Sequence, residues 1–376
     1  MVSERASNLH FSSIIVDMHS DSLARPVRHG EDIGVRTDSG HMDLPRMREG
    51  NQTAQFFACF ASPKFVEERK CIQLTLDYID AFHSLCANYS DEIEQATTAA
   101  DVRRIVAAGK LAGILAIEGG HAIDDDLAVL RMYYKLGVRY MTLTWNNTNN
   151  WADGVLDEAK HDGLTDFGRD VVREMNRLGM FVDISHVAPK TFWDALETTT
   201  KPVIASHSSA KAICQAPRNM DDDQLRAVAE NGGVVGVNYE VTFVSERYRL
   251  ESDALNERKE GELKEAEQPQ PDGPERLEKA KAEIEETFKQ LRSSELKLPD
   301  YTEIVDHIDH MVEVAGVDHV GLGSDFDGCT TPEGMEDCTK VPKITEELVR
   351  RGYSDEDIRK ILGENFLRVM DEVLVA

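Results

Sequence analysis

Short, continuous apolar runs alternate along the chain with longer stretches whose apolar residues recur at helical spacing. Continuous apolar runs are typical of strands that helices cover on both faces of a parallel sheet. The stretches 71–89 and 164–179 are predicted helices, and the second has a start signal at Thr165 and a stop signal at Gly179. The eight predicted strands are 13–19, 54–60, 113–118, 139–145, 180–186, 202–207, 233–239 and 319–326. This alternation predicts an α/β protein with a single (β/α)8 TIM-type barrel over residues 1–376.

One interval interrupts this rhythm, a charged insertion at residues 244–300 between the seventh and eighth predicted strands. Its core, 258–300, is dense in charge and poor in large apolar residues. The prolines and glycine of 267–274 predict a turn, and 274–294 is a predicted polar helix with charge pairs at helical spacing. Two interpretations remain open: a solvated excursion, or a lid that leaves from the rim where barrel active sites lie.

Composition excludes some classes of function. The formal net charge of −27 argues against nucleic acid as a partner, because phosphate binding needs clustered Lys and Arg. The first 13 residues contain no apolar signal-peptide core, and no stretch approaches the roughly 18 apolar residues of a membrane span. The 6 cysteines lack CxxC spacing, which is typical of reduced thiols. A cytoplasmic location without membrane contact is therefore expected.

Six side chains with metal-ligand or acid–base chemistry stand at corresponding places, where predicted strands end. They are His19, Asp21, Glu118, His186, His207 and Asp325. Each has an ordinary structural explanation when taken alone, such as a buried rim histidine, a carboxylate at a helix N-terminus or an aspartate in a turn. Together they predict one site, because the carboxyl ends of barrel strands converge on a single mouth and burying so many polar groups without a shared purpose is costly.

This donor set suits a pair of divalent ions. Imidazole and carboxylate are good zinc ligands, and the predicted strand ends offer no cysteine. The pair His19 and Asp21 can hold one ion from adjacent positions around a strand end, and His186 with His207 can hold the other. A carboxylate can bridge two cations through its two oxygens, and Glu118 is the candidate for this role. Such a centre generates hydroxide near neutral pH and polarises a carbonyl.

Several motifs, in this order and spacing, resemble those of the membrane (renal) dipeptidase family, peptidase family M19. They are VDMHSD, AIEGGHAID, VDISHV, IASHSSAKAICQAPRN and GLGSDFDG, followed by the tail RRGYSDEDIRKILGENFLRV. The resemblance runs from about residue 13 to the end of the chain. It implies a dizinc (β/α)8-barrel enzyme that hydrolyses dipeptides and often tolerates a D-residue on the C-terminal side. It also implies a homodimer, and this chain looks like the soluble bacterial branch.

The resemblance also assigns roles to residues. His19 and Asp21 would bind one zinc and His186 and His207 the second, with Glu118 and a hydroxide bridging the two Zn2+ ions. Arg218 matches the arginine that pairs with the C-terminal carboxylate of the substrate, a task that suits a guanidinium fork. Asp325 matches the aspartate near the nucleophilic water and the substrate amine, where it would transfer protons.

The sequence departs from the family pattern at one place. Mammalian members have a histidine after the fourth strand that contacts the substrate carbonyl or oxyanion, and here that position is Trp145. An indole can donate a hydrogen bond but cannot titrate. The neighbouring Asn146 is therefore a candidate neutral donor to the oxyanion, as are Asn147, Asn149 and Asn150, unless they only shape the loop. Because the following WADG is retained, the departure predicts altered substrate handling rather than loss of activity.

Two other functions compete with the dipeptidase. An amidohydrolase or lactonase-like enzyme on the same barrel usually begins with His-x-His and often uses a lysine from the fourth strand. This chain has His-x-Asp and no lysine in 139–151, which disfavours that alternative. The other is a catalytically inactive barrel that binds a ligand or partner, against which the complete set of candidate ligands argues.

Overall fold

A computed structural model describes residues 2–267 and 274–374, and within them the chain forms a closed barrel of eight parallel strands. The strands of the described part are β1 Val16–Ser20, β2 Ala54–Phe60, β3 Ile93–Gln95, β4 Leu111–Glu118, β5 Val138–Thr142, β6 Phe181–Asp183, β7 Ile204–Ala205, β8 Val234–Val237 and β9 Val320–Leu322. The ring runs β2-β1-β9-β8-β7-β6-β5-β4, and pairing of β2 with β4 closes it. The TIM-type fold predicted from the apolar runs is confirmed.

Strand β3 was not predicted. It pairs only with the first residues of β4, from Ile93 opposite Leu111 to Gln95 opposite Gly113, while β5 pairs with β4 further along, from Leu115 to Ile117. β3 therefore occupies a part of the β4 edge that the barrel strand β5 leaves free. A strand of 3 residues with one buried side chain carries too little apolar pattern to be recognised in a sequence.

Helices surround the barrel and follow its strands. They are α1 Glu4–Phe11, α2 Ala24–His29, α3 Leu44–Glu49, α4 Cys71–Asn88, α5 Ala99–Ala107, α6 Leu127–Lys135, α7 Asp166–Leu178, α8 Pro189–Thr198, α9 Asp222–Glu230, α10 Val241–Val244, α11 Glu246–Ala266, α12 Pro274–Glu295, α13 Thr302–Ala315, α14 Pro342–Arg350, α15 Asp355–Arg359 and α16 Asn365–Val373. The predicted limits of α7 are confirmed, because the Thr165 side chain accepts a hydrogen bond from the Gly168 amide and Gly179 is left-handed at φ 74°.

The barrel is closed at one end and open at the other. Its interior is filled by side chains such as Met18, Phe56 and Tyr140, and α16 seals the end at which the strands begin. Phe366 of α16 packs with its ring centroid 5.1 Å from Phe56 and 5.3 Å from Phe181. Solvent access is consequently confined to the carboxyl ends of the strands, as in other TIM-type barrels.

Five strands, β5 to β9, stop earlier than predicted. As a result His186, His207 and Asp325 lie in the loops that follow β6, β7 and β9. Buried aspartates replace the missing strand pairing. Asp183 accepts hydrogen bonds from the amides of Ser185 and Ser206 at 3.1 and 2.9 Å, which satisfies backbone donors just beyond the strand ends. The apolar runs in the sequence locate the strands well. They do not show where side-chain hydrogen bonds replace the backbone hydrogen bonds between strands.

The charged insertion forms two helices, α11 and α12, which pack against each other between β8 and β9. Charge pairs join them, including Lys259 with Glu285 at 2.5 Å and Arg258 with Glu295 at 3.2 Å. The predicted turn at 267–274 falls mainly on 268–273, outside the described residues. The single-domain division and the lid stay predictions. Among the helices of the described part, none is both long and apolar enough to cross a membrane.

Candidate active site

The six predicted side chains come together at the open end of the barrel. His19 and Asp21 lie at the end of β1 and Glu118 ends β4, while the other three follow β6, β7 and β9. Five of the six side chains are buried and Asp325 is partly buried. Donor atoms of His19, Glu118 and His207 all lie within 4.8 Å of one another, as do those of His19, Asp21 and Asp325. His19 belongs to both groups, so the two groups form one continuous cluster.

Glu118 is central because its two carboxylate oxygens face different histidines. Oε1 lies 2.9 Å from His186 Nε2 and 3.6 Å from His207 Nε2. Oε2 lies 3.9 Å from Nε2 of His19, which is itself 3.7 Å from Asp21 Oδ2. This carboxylate therefore stands between a pair of imidazoles on one side and a histidine–aspartate pair on the other.

Hydrogen bonds at Nδ1 orient two of the histidines. Nδ1 of His19 lies 2.6 Å from the hydroxyl of Tyr140, which itself donates to the Met18 carbonyl at 3.1 Å. Nδ1 of His186 lies 2.8 Å from Oδ1 of Asn146. Because both partners accept in these bonds, each Nδ1 carries a proton and each Nε2 faces the cluster.

His207 is oriented through a longer chain of bonds. Its Nδ1 lies 2.7 Å from the Ser206 hydroxyl, which donates to the buried Asp183 carboxylate at 2.6 Å. The resulting lone pair at Nε2 of His207 lies only 2.7 Å from Nε2 of His186. Two lone pairs at this distance repel, and a cation held between them would remove the repulsion.

The donor set fits a metal centre on two further grounds. Nε2 of His19 is buried and has no hydrogen-bond partner among the described residues, which is costly unless a ligand satisfies it. Burial lowers the pKa of His186 and of His207 well below the usual value, and the Arg218 guanidinium acts in the same direction. Both imidazoles are therefore held neutral, as metal ligands must be.

Burial raises the pKa of the carboxyl groups in the cluster, whereas it lowers the pKa of these two histidines. Burial and the charge of Asp21 raise the pKa of Glu118 well above the usual value. Burial raises the pKa of Asp325 to about 7, although the nearby His19 works against this. So many buried carboxylates at the mouth of one barrel repel each other, and divalent cations would remove that cost. The left-handed backbone of His186 (φ 69°) and Asp325 (φ 60°) is further local strain of the kind found at functional sites.

Arg218 lies at the side of this cluster. It lines a cavity of about 370 Å³ at the barrel mouth, whose wall also includes Asp21, Glu118, His186 and Asp325. One amino group of its guanidinium donates to the His207 carbonyl at 3.0 Å, and Phe243 lies below the guanidinium with its ring centroid 5.5 Å away. The Nε–H group is buried and unpartnered among the described residues, and the side chain is 4% exposed. The guanidinium thus keeps donor capacity for a ligand in the cavity.

Trp145 and Asn146 also line the cavity, but they do so in the loop after β5 rather than on a strand. The Trp145 ring lies 5.2 Å from Phe60 and 6.4 Å from His186, centroid to centroid. Asn146 uses its carbonyl oxygen on His186, which leaves the amide NH2 for other partners. Asn149 and Asn150 bond elsewhere, to the Leu143 carbonyl and the Asp125 carboxylate.

Several residues of the site were not singled out in the sequence. Tyr140, Ser206 and Asp183 orient histidines or their loops, and Asn238 donates to Asp325 Oδ2 at 3.1 Å. The only signal available was that polar residues stand inside or directly after apolar runs. Their partners are up to 121 positions away in the chain, as for His19 and Tyr140, so spacing does not reveal them.

Comparison with known proteins identifies the family of the chain. The chain matches the family described as membrane dipeptidase (peptidase family M19) over residues 3–375. The chain belongs to this family. The resemblance seen in the motifs is confirmed, and the protein is a metallo-dipeptidase of family M19.

Solved structures of family M19 proteins superpose on nearly the whole chain. The probable dipeptidase PvdM from Pseudomonas aeruginosa is 25% identical with a TM-score of 0.85, covering 99% of this chain and 98% of that one. A family M19 metallopeptidase called dipeptidase AC is 28% identical with a TM-score of 0.78, covering 97% and 100%. A metallopeptidase from Rhodobacter sphaeroides, bound to a phosphinate mimic of the dipeptide L-Ala-D-Ala, is 27% identical with a TM-score of 0.77, covering 96% and 100%.

Proposed function

We propose that this metallo-dipeptidase uses two zinc ions bridged by Glu118 to hydrolyse dipeptides, including those with a C-terminal D-residue. The observation that carries the proposal is the opposed orientation of the Glu118 oxygens, one towards His186 and His207 and the other towards His19. His19 and Asp21 would hold one ion, and His186 and His207 the second. When bound, the two ions supply an activated water and polarise the scissile carbonyl.

The remaining steps belong to side chains of the chain itself. Arg218 would bind the substrate's terminal carboxylate with its free donor capacity, which fixes the position of the scissile bond. Asp325, whose pKa is raised to about 7, would accept the proton of the water and pass it to the departing amine. Asn146 bonds His186 through its carbonyl oxygen, and its NH2 group would serve as a neutral donor to the oxyanion beside Trp145.

Tolerance of a D-residue is supported by one relative. The Rhodobacter sphaeroides metallopeptidase binds a phosphinate mimic of L-Ala-D-Ala, and its structure covers 96% of this chain. We extend that stereochemistry to this chain.

The first test is a substrate panel with the zinc-loaded protein. We expect turnover of L-Ala-L-Ala and L-Ala-D-Ala, and none of the tripeptide L-Ala-L-Ala-L-Ala or of N-acetylated L-Ala-L-Ala. The reason is that anchoring both charged ends limits the substrate to two residues. A chelator should abolish turnover and zinc should restore it. Equal cleavage of the acetylated and free dipeptides would contradict recognition of the free amino group of the substrate. Turnover that persists in the presence of a chelator would contradict the dependence on metal.

Replacing Arg218 with alanine should raise KM about 100-fold and change kcat much less. A buried charge pair to the substrate carboxylate is worth about 3 kcal/mol, and it is present before the transition state as well as in it. The measurement compares L-Ala-L-Ala with its C-terminal amide. Wild-type enzyme should prefer the free acid strongly, and Arg218→Ala should not distinguish the two. A variant that loses kcat yet keeps its preference for the free acid would contradict this role.

A further inference from the structure

A second arginine, Arg28 of α2, lines the same cavity as the candidate metal ligands. Its side chain is exposed and forms no ion pair with any carboxylate in the described part of the chain. That is unusual in a protein with a net charge of −27, where acidic partners are plentiful. The guanidinium carbon lies 5.8 Å from the ring centroid of Phe60, which packs against Trp145. Arg28 therefore presents an uncompensated positive charge beside an aromatic wall.

Strand order puts Arg28 and Arg218 on opposite sides of the mouth. Arg28 follows β1 and Phe60 ends β2, whereas Arg218 follows β7. In the ring β2-β1-β9-β8-β7-β6-β5-β4, strand β7 lies four places from β2 in either direction. A dipeptide whose carboxylate pairs with Arg218 therefore extends its N-terminal residue across the metal ligands towards Phe60 and Arg28.

The acidic residues on this side of the cavity do not neutralise Arg28. Asp327 is already occupied, since it accepts hydrogen bonds from the Ser22 hydroxyl at 2.5 Å and from the His41 amide at 2.6 Å. Asp21 stands within 3.7 Å of His19 and is a candidate metal ligand. A negatively charged group that enters beside Phe60 thus meets a guanidinium that forms no ion pair among the described residues, and carboxylates that already have partners.

We propose that Arg28 makes the enzyme prefer dipeptides whose N-terminal residue has an acidic side chain. This inference rests on the proposed function, because it places the dipeptide by its carboxylate on Arg218. The side-chain carboxylate of an N-terminal Glu would pair with the Arg28 guanidinium, while its methylene groups contact Phe60 and Trp145. A neutral side chain of the same shape, such as that of Gln, cannot form this ion pair. The positive charge of Arg28 repels a lysine side chain.

The test compares kcat/KM for Glu-Ala, Gln-Ala and Lys-Ala, all with an L N-terminal residue and with alanine of whichever configuration the enzyme cleaves. We expect wild-type enzyme to favour Glu over Gln by about fivefold, the range of a solvent-exposed ion pair, with Lys below Gln. Arg28→Gln should bring the Glu to Gln ratio to about one, and Arg28→Lys should keep part of the preference. The control is Arg173→Gln on α7, which removes an exposed arginine paired with Asp170 and should leave the ratio at the wild-type value.

The outcomes separate this inference from the function on which it rests. A ratio of one or below in wild-type enzyme, or a preference for Glu that survives Arg28→Gln, would overturn the role of Arg28 while cleavage of Ala-Ala upholds the dipeptidase. Absence of turnover of every dipeptide, Ala-Ala included, would overturn the proposed function and this inference with it.

Discussion

Replacing Glu118 with glutamine is expected to lower kcat/KM by about 10³-fold and to abolish binding of at least one of the two proposed metal ions. The amide keeps the volume of the side chain but removes the negative charge that faces His186 and His207 on one side and His19 on the other. Losing an ion removes several kcal/mol of transition-state stabilisation, which corresponds to this rate effect. Activity and metal content per chain, measured after gel filtration, test the two parts of the prediction separately.

The same substitution should have opposite effects on stability with and without metal. In the presence of a chelator, Glu118→Gln should be as stable as the wild type or more so, because burial makes a charged Glu118 unfavourable and raises its pKa. With zinc at 100 times its Kd, the wild type gains about 2.7 kcal/mol per site by mass action, and the variant loses this gain at the affected site. Denaturant unfolding with chelator and with zinc measures both effects.

A buried glutamate far from the site provides the control. Glu347 is 3% exposed and pairs with Arg350 and Arg351 on the outside of the barrel. Glu347→Gln should destabilise the protein equally with chelator and with zinc, and it should leave the metal content unchanged. If Glu118→Gln behaves like this control and still binds two ions, Glu118 is not the bridge.

The motifs of the chain predict the fold and the candidate ligands because both depend on local patterns. Apolar runs mark the strands, and a polar side chain after a run marks the mouth of the barrel. Glu118 closes a strand of 8 buried residues, so its position was readable from the sequence. The residues that orient the candidate ligands follow no such pattern, since Tyr140 lies inside the barrel and contacts His19 only once β1 and β5 are in place in the ring.

Arg28 illustrates a second limit. Nothing in its sequence neighbourhood, LARPVRHG, separates it from Arg25. In the structure, Arg25 is buried and paired with Glu31 at 2.7 Å, whereas Arg28, almost one helical turn later, lines the cavity without an ion pair among the described residues. Whether an arginine is structural or available to a substrate depends on which carboxylates the fold brings within reach, and spacing along the chain does not contain that information.

Asp325→Asn should lower kcat by about 10²- to 10⁴-fold, the usual range for loss of a general acid–base group, with little change in KM. Asparagine keeps the shape of the side chain and tolerates the left-handed backbone at φ 60°. It can still accept the hydrogen bond that Asn238 donates at 3.1 Å, so the loop after β9 should be preserved. What the variant loses is a group that can take a proton from water and return it to the leaving amine.

The neighbouring Asp327 makes this prediction specific. It lies on the same loop, is also left-handed at φ 66° and lines the same cavity, but its carboxylate accepts bonds from Ser22 and His41. Asp327→Asn should therefore lower the free energy of unfolding and affect kcat far less than Asp325→Asn does. Steady-state kinetics and denaturant unfolding of both variants separate proton transfer from loop support. Equal losses of kcat would mean that the charge of the loop matters and not the proton carried by Asp325, because the two substitutions remove the same charge.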